Sequence, residues 1–403
     1  MNNWKRNVSL FLGGSCITMF GSMLVQQSVV WYITLETQSG VIMALMSAAG
    51  AVPMLLASPF AGIWSDRYSK KLIINLADGA IAFVTLLLAA TFSLGFEHIA
   101  LLIVILAIRG FGQGVQSPAV ASFLPEIAPA DKLIKVNGYN SSIQSVVSFL
   151  SPVAAAALIA TVAIQSVLYI DVITAAIGIS ILVFFVKSAP PREKTHEQKP
   201  ALREMSEGFK YIKTQPFIIQ MMLVSILVNV FTAPAAHLYP LQIVRHFGEE
   251  PWRLMVGSLA FSAGMFAGGA IIGSWGGFKN KIHTVAFGVG AVIICTIGLA
   301  TSARFGNFVA YALITRIYGI FLPVFNAPVM TMFQTKVDPE YMGRVFSAFM
   351  MLIGAVTPVS MAVWGPLADF ISINTLQIIS TAGLASAIFI LLGSKSLSLA
   401  GKA

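Results

Sequence analysis

The chain is poor in charge. Only 10% of its 403 residues are Asp, Glu, Lys or Arg, against about 25% in soluble domains. Such domains need a solvated surface that this chain cannot supply, which excludes a cytosolic enzyme and a disordered segment. Cysteine is almost absent: Cys16 and Cys295 each sit in an apolar run far from any other Cys. That excludes a disulfide scaffold, and without a His/Cys cluster neither a metal site nor a redox role is expected. Acidic residues number 16 against 25 basic ones, a formal net charge of +9. Hydrophobic residues make up 57%. The 33 Gly raise the apolar share to about 65%, where soluble domains counted the same way reach roughly 45–50%. The composition is that of an integral membrane protein.

Apolar runs long enough to cross roughly 30 Å of hydrocarbon fall at about 8–33, 41–64, 72–94, 99–122, 137–158, 166–186, 217–241, 254–275, 283–301, 308–331, 345–364 and 374–393. These are twelve spans. Lys5-Arg6 before the first run could open a signal peptide, but the run continues past 20 residues without a small-x-small cleavage site, so a retained first helix is expected. With the N-terminus inside, twenty of the 25 basic residues fall in inner segments. Only Arg245, Arg253 and Arg304 fall outside, and Arg109 and Arg316 lie within spans. Both termini are therefore expected to be cytoplasmic, and the positive charge needs no nucleic-acid partner.

The longest polar stretch, 187–216, divides the spans six and six, giving an expected N-terminal bundle at 1–186 and a C-terminal bundle at 217–403. Within the linker Leu202, Met205, Phe209 and Ile212 recur at helical spacing, as in an amphipathic helix on the inner membrane surface. The halves repeat at an offset of 205–211 residues. Gly62-x-Trp64-x5-Lys70 matches Gly273-x-Trp275-x5-Lys281, Arg109 matches Arg316, and Pro118 matches Pro328. Asp131 matches Asp338, and Ser151-Pro152 matches Thr357-Pro358. Parallel six-helix repeats are one transporter layout, with substrate bound near the midplane and alternating access to the two sides.

The loop after span 2 reads Gly62-Ile-Trp-Ser-Asp66-Arg67-Tyr-Ser-Lys70-Lys71. It resembles the loop 2–3 signature of the major facilitator superfamily, with Ser69 in place of a Gly and Lys70 in place of an Arg. Arg109, Ser117-Pro118-Ala119, Gly138-Tyr139, Gln144-Ser145, Tyr169-Ile170-Asp171 and Gly343-Arg344-Val345-Phe346-Ser347 are similar to the macrolide-efflux branch of drug:proton antiporters. The Gly-rich span 5 signature of many antiporters is replaced here by Val147, Ser151-Pro152 and Ala155-Ala156. The resemblance implies an all-α fold of twelve transmembrane helices in two six-helix bundles, no enzymatic activity, no cofactor and a gating role for Gly62, Asp66, Arg67, Lys70, Lys71, Gly343 and Arg344. It implies an exporter of amphipathic drugs such as macrolides, driven by protons, monomeric in a bacterial-type inner membrane among its lipids. Export of an endogenous amphiphile, a siderophore or lipid, is the alternative on the same scaffold.

Ionisable residues inside spans are costly and mark function or a helix-pinning ion pair. Arg109 lies roughly 15 Å into span 4 at about 1.5 Å per residue, and Arg316 holds the corresponding place in span 10. With Asp78 and Asp171 they form the expected proton-coupling set. A burial-raised and Arg-lowered carboxylate could load and release a proton; a fixed ion pair is the structural alternative. Expected substrate contacts are Gln26, Gln27 and Trp31 in span 1, Asn140 and Gln144 in span 5, and Asn229, Phe231 and His237 in span 7. Phe325, Asn326, Met350 and Met351 complete the set, Met being adaptable. Gly110, Gly112 and Gly114, and the pairs Gly264/Gly268 and Gly269/Gly273, read as close-approach positions within spans rather than nucleotide loops. No phosphate-binding loop is present to draw energy from ATP.

Overall fold

The computed structural model describes residues 4–129, 132–187 and 210–401. Among these residues all regular structure is helical. The helices are α1 Trp4–Thr37, α2 Gly40–Arg67, α3 Lys70–Ser93, α4 Ile99–Ile127, α5 Leu133–Thr161 and α6 Ile164–Phe185. They continue as α7 Pro216–His237, α8 Tyr239–Phe247, α9 Pro251–Trp275, α10 Lys281–Arg304, α11 Phe308–Lys336, α12 Pro339–Phe370, α13 Ile373–Gly393 and α14 Lys395–Ala400. Twelve of the spans these helices make are long and apolar enough to cross a membrane, α7 and α8 together making one. Their outer faces carry large apolar side chains such as Phe184, Phe266 and Phe389, each more than three-quarters exposed, which lipid and not water solvates.

The seventh span, expected as one helix, breaks at Leu238. Pro240 lacks the N–H that would continue the ladder, and its ring clashes with the carbonyl four residues back. The expected amphipathic helix lies outside the described residues up to Phe209. Its end survives as one turn, where the Tyr211 hydroxyl donates to Asp338 at 3.1 Å and its ring stacks on Tyr341 at 4.3 Å.

The helices form two compact units. One comprises 4–37 and 45–187, the other 38–44 and 210–401, so the first turn of α2 groups with the second unit. That turn is capped by Asp369, which accepts from Gly40 N at 2.7 Å, Val41 N at 3.0 Å and Ser39 Oγ at 2.9 Å. Arg245 pairs with the same carboxylate at 2.9 Å and donates to the carbonyls of Gln38 and Ala368. Within the first unit α1 packs on α5 and α6, and α3 on α4 and α6. Within the second, α7 packs on α12 and α13, and α10 on α11 and α13. The sequence repeat is thus a repeat of packing.

Glycines set the closest crossings. A Cβ on Gly110 of α4 would sit 2.1 Å from the Gly50 carbonyl oxygen of α2, and one on Gly264 of α9 would sit 2.0 Å from the Arg316 carbonyl oxygen of α11. Gly112, Gly114 and Gly268 are likewise confined, whereas Gly269 and Gly273 face open space. In α5 the residues standing where other antiporters carry glycines, Val147, Ser151, Ala155 and Ala156, are all buried. Small side chains serve there in place of glycine.

Candidate functional site

The middle of the first unit is tied by one buried ion pair. Arg109 of α4 and Asp171 of α6 are 3% and 1% exposed and meet directly. The Arg109 guanidinium also donates to Thr85 Oγ1 of α3 at 2.6 Å and reaches the Ser22 carbonyl of α1 at 3.4 Å. Ser22 Oγ donates to the other Asp171 oxygen at 3.2 Å. Four helices are thus joined through one neutralised pair, the arrangement in which a buried charge is tolerated. Asp171 is shut away within this cluster.

Beside the cluster lies a cavity of about 400 Å³. Its walls come from residues 10–26 of α1, 74–81 of α3, 113–121 of α4, 140–144 of α5 and 178–182 of α6, with Met54 of α2. All of these lie toward the end of the unit where α1, α3 and α5 begin. The wall is mainly apolar, with Met19, Met23, Met54 and Phe11, and carries the amides Gln26, Gln113, Gln116, Asn140 and Gln144. Among the described lining residues Asp78 is the one charged side chain. It accepts from Gln116 Nε2 at 2.5 Å. Ser22 belongs both to the wall and to the ion-pair cluster, so cavity and pair share a side chain.

The expected residues therefore divide. Asp78, Gln26, Asn140 and Gln144 meet at the cavity, and Asp171 and Arg109 meet behind it. Gln27 is half-buried and off the wall, and Trp31 is completely buried in the first unit. In the second unit Asn229 donates to the Ser225 carbonyl of its own helix. Phe231 packs edge-on against Trp364 in a buried cluster, and Phe325 is buried against Gly288. His237, Asn326, Met350 and Met351 are exposed. A second, shallow hollow is lined by Gln38, Arg245, Glu250 and Arg253, and none of the expected residues reach it. Arg316 is exposed, and its guanidinium has no partner among the described residues.

At the same end of the first unit as the cavity, where α3 begins and α4 closes, Lys70 pairs with Glu126 of α4. Lys71 donates to the Val183 and Val186 carbonyls at the end of α6, at 2.9 and 2.8 Å. A cation there suits the negative end of the helix dipole. Arg344 lies over the Tyr341 ring at 5.4 Å, and Gly343 has open space around it. Gly62, Asp66 and Arg67 lie in the last turns of α2.

Sequence reasoning passed over Gln113, Gln116, Thr85 and Ser22. A signal existed for three of them: Arg109, Gln113 and Gln116 fall at i, i+4 and i+7, one polar stripe along α4. Asp78 and Thr85 stand seven apart on α3 in the same way.

The sequence profile of the Major Facilitator Superfamily matches residues 11–361. The chain belongs to this superfamily. Macrolide efflux protein A of Streptococcus pyogenes is 27% identical over 376 residues, covering 93% of this chain and 92% of that protein. The protein of the same name from Enterococcus faecalis is 27% identical over 319 residues, covering 78% of this chain and 98% of that one. Among solved structures, the nucleoside transporter NupG superposes with a TM-score of 0.70 at 13% identity, over 97% of this chain and 99% of that one. Like other members of the superfamily, the protein is a multi-pass membrane transporter and not an enzyme.

Proposed function

We propose that the protein exports amphipathic small molecules of the macrolide type by alternating access, in exchange for protons, with both termini cytoplasmic. The observation that carries this reading is the apolar, methionine-bearing cavity with one carboxylate on its wall and an ion pair directly behind it. An apolar cleft with a few convergent polar groups is the usual form of a small-molecule site, and similarity to two macrolide efflux proteins supports the substrate type. The cavity lies at the end of the first unit that bears the basic residues of the loop 2–3 motif, the cytoplasmic end by the distribution of Lys and Arg. A site loaded from that end suits export.

In this mechanism a proton and the substrate bind the first unit in alternation. Asp78 is the group open to the cavity. The Arg109–Asp171 pair senses which is bound through Ser22, because any shift of Ser22 changes the hydrogen bond to Asp171. The motif around Asp66 and Arg67, with Lys70, Lys71, Gly343 and Arg344, holds the inner-face loops in one state.

The test is accumulation of labelled erythromycin in cells expressing the chain, with and without a protonophore. Lower accumulation that the protonophore abolishes is the expected result. Unchanged accumulation in the wild type would overturn the macrolide assignment and favour an endogenous amphiphile.

A further inference from the structure

Asp78 is in an unusual position for a carboxylate within a membrane span. It is 7% exposed, and what is exposed opens onto the cavity. Its single hydrogen bond among the described residues comes from the neutral amide of Gln116. No basic side chain among the described residues pairs with it. On α4 the one mid-membrane cation, Arg109, is engaged by Asp171 of α6, and these are the charged groups that the helices packed on α3 bring near. The helix's own Lys70 and Lys71 are at its first turn, bound to Glu126 and to carbonyls. The α1 wall contributes Ser15, Thr18, Ser22 and Gln26, none of them charged.

A carboxylate so placed needs a neutralising partner, because an isolated charge in a low-dielectric site is strongly disfavoured. The described residues offer none, so the partner arrives from outside. It is either a proton or a cation belonging to the substrate. Around it, Met19, Met23, Met54, Phe11 and Ile81 supply an adaptable apolar wall, and the amides supply donors and acceptors without net charge. We propose that Asp78 receives a protonated amine of the substrate, and that this cavity selects singly charged amphipathic amines over amphipathic anions. The assignment rests on the transporter reading above and names its substrate class. At about 400 Å³ the cavity is near the small end of ligand sites, roughly 300–1,000 Å³. It takes the amine-bearing end of a large substrate.

The test uses purified full-length protein in lipid nanodiscs and two fluorescent probes of one shape. Both are dansyl sulfonamides, one with a 3-(dimethylamino)propyl tail and one with a propanoate tail. Wild type should bind the amine probe at least about tenfold more tightly than the anion at neutral pH, the size of one charge-assisted hydrogen bond. Asp78→Asn should abolish that preference, and Asp78→Glu should restore it. Binding of the amine probe should also weaken on acidification in wild type and not in Asp78→Asn. Circular dichroism and gel filtration of each variant establish that it is folded. Equal binding of the two probes, no binding of either, or a preference that survives in folded Asp78→Asn would overturn the proposal. The measurement needs no gradient. Amine preference in a protein that exports no macrolide would keep the Asp78 assignment and sink the export reading.

Discussion

Arg109 and Arg316 stand 207 residues apart at the same place in two repeats, yet their surroundings differ completely. Arg109 is buried with a carboxylate, a threonine hydroxyl and a carbonyl as partners. Arg316 is exposed and unpartnered among the described residues. The positions that surround Arg109 have counterparts at the repeat offset. Thr85 corresponds to Thr296, Ser22 to Asn229 and Asp171 to Gln377. The polar pattern is kept and the charge is lost: neither α10 nor α13 contains an Asp or Glu.

Gln377 instead joins a buried network of amides. Gln242 donates to Asn374 at 2.8 Å and to Gln377 at 2.9 Å, and accepts from Tyr311 at 3.0 Å. Asn374 in turn meets His246 at 3.0 Å. The interior of one unit is therefore pinned by a buried ion pair and that of the other by amides. Satisfied amides cost less to bury than a charge and have no proton to exchange. The charged half is the half suited to coupling, and the neutral half is suited to being a scaffold.

The comparison can be broken most directly at the pair itself. Removing one partner, as in Arg109→Gln or Asp171→Asn, leaves a buried charge and should cost about 3–5 kcal/mol. The thermal midpoint in detergent should drop steeply, and the double variant should recover much of the loss. Arg316→Gln should leave stability within about 0.5 kcal/mol. Similar losses at the two arginines would show that the halves are not divided in this way.

A smaller effect is expected in the neutral network. Gln242→Ala removes partners of Tyr311, Asn374 and Gln377. Asn374 keeps its hydrogen bond with His246, so the total should be about 1–3 kcal/mol, read by chemical denaturation. If that loss exceeded the loss from Arg109→Gln, the second unit would be the more rigidly specified one. Glycine substitutions probe what the halves share. Gly110→Ala and Gly264→Ala each force a backbone crossing apart and should cost about 1–3 kcal/mol. Gly269→Ala meets nothing and should be neutral or stabilising by up to about 1 kcal/mol. A small effect is also expected for Lys70→Gln. Its pair with Glu126 is partly exposed, with side-chain exposures of 18% and 29%, and such pairs are worth about 0–1 kcal/mol.

Much of this architecture was legible beforehand, for identifiable reasons. The spans follow from run length, and the repeat follows from a constant offset. Arg109 was placed near the midplane by counting residues along its helix. Gly110, Gly114 and Gly264 were read correctly as crossing points, whereas Gly269 and Gly273, of the same spacing, turned out to face open space. Of the twelve expected substrate contacts, Gln26, Asn140 and Gln144 line a cavity, whereas Trp31 and Phe325 are buried in helix packing. A polar or aromatic residue within a span gives no sign of whether it faces a cavity or a neighbour. Many hydroxyls in this chain simply bond the carbonyl four residues back, as Thr34 does to Val30 and Thr232 to Val228. Arg245 read as an exterior loop charge, because its partner Asp369 lies 124 residues away.

By itself the sequence determined a twelve-span, two-fold repeated helical membrane protein, because crossing hydrocarbon forces each segment to satisfy its own backbone. It also determined which residues carry charge inside the membrane. Which of those charges meet was decided only by tertiary structure. Asp171 and Asp78 are both lone carboxylates in apolar runs, and nothing local distinguishes them. Helix packing closes Arg109 onto Asp171 and leaves Asp78 open to the cavity, since a guanidinium that four helices have already satisfied has no reach left for a second acid.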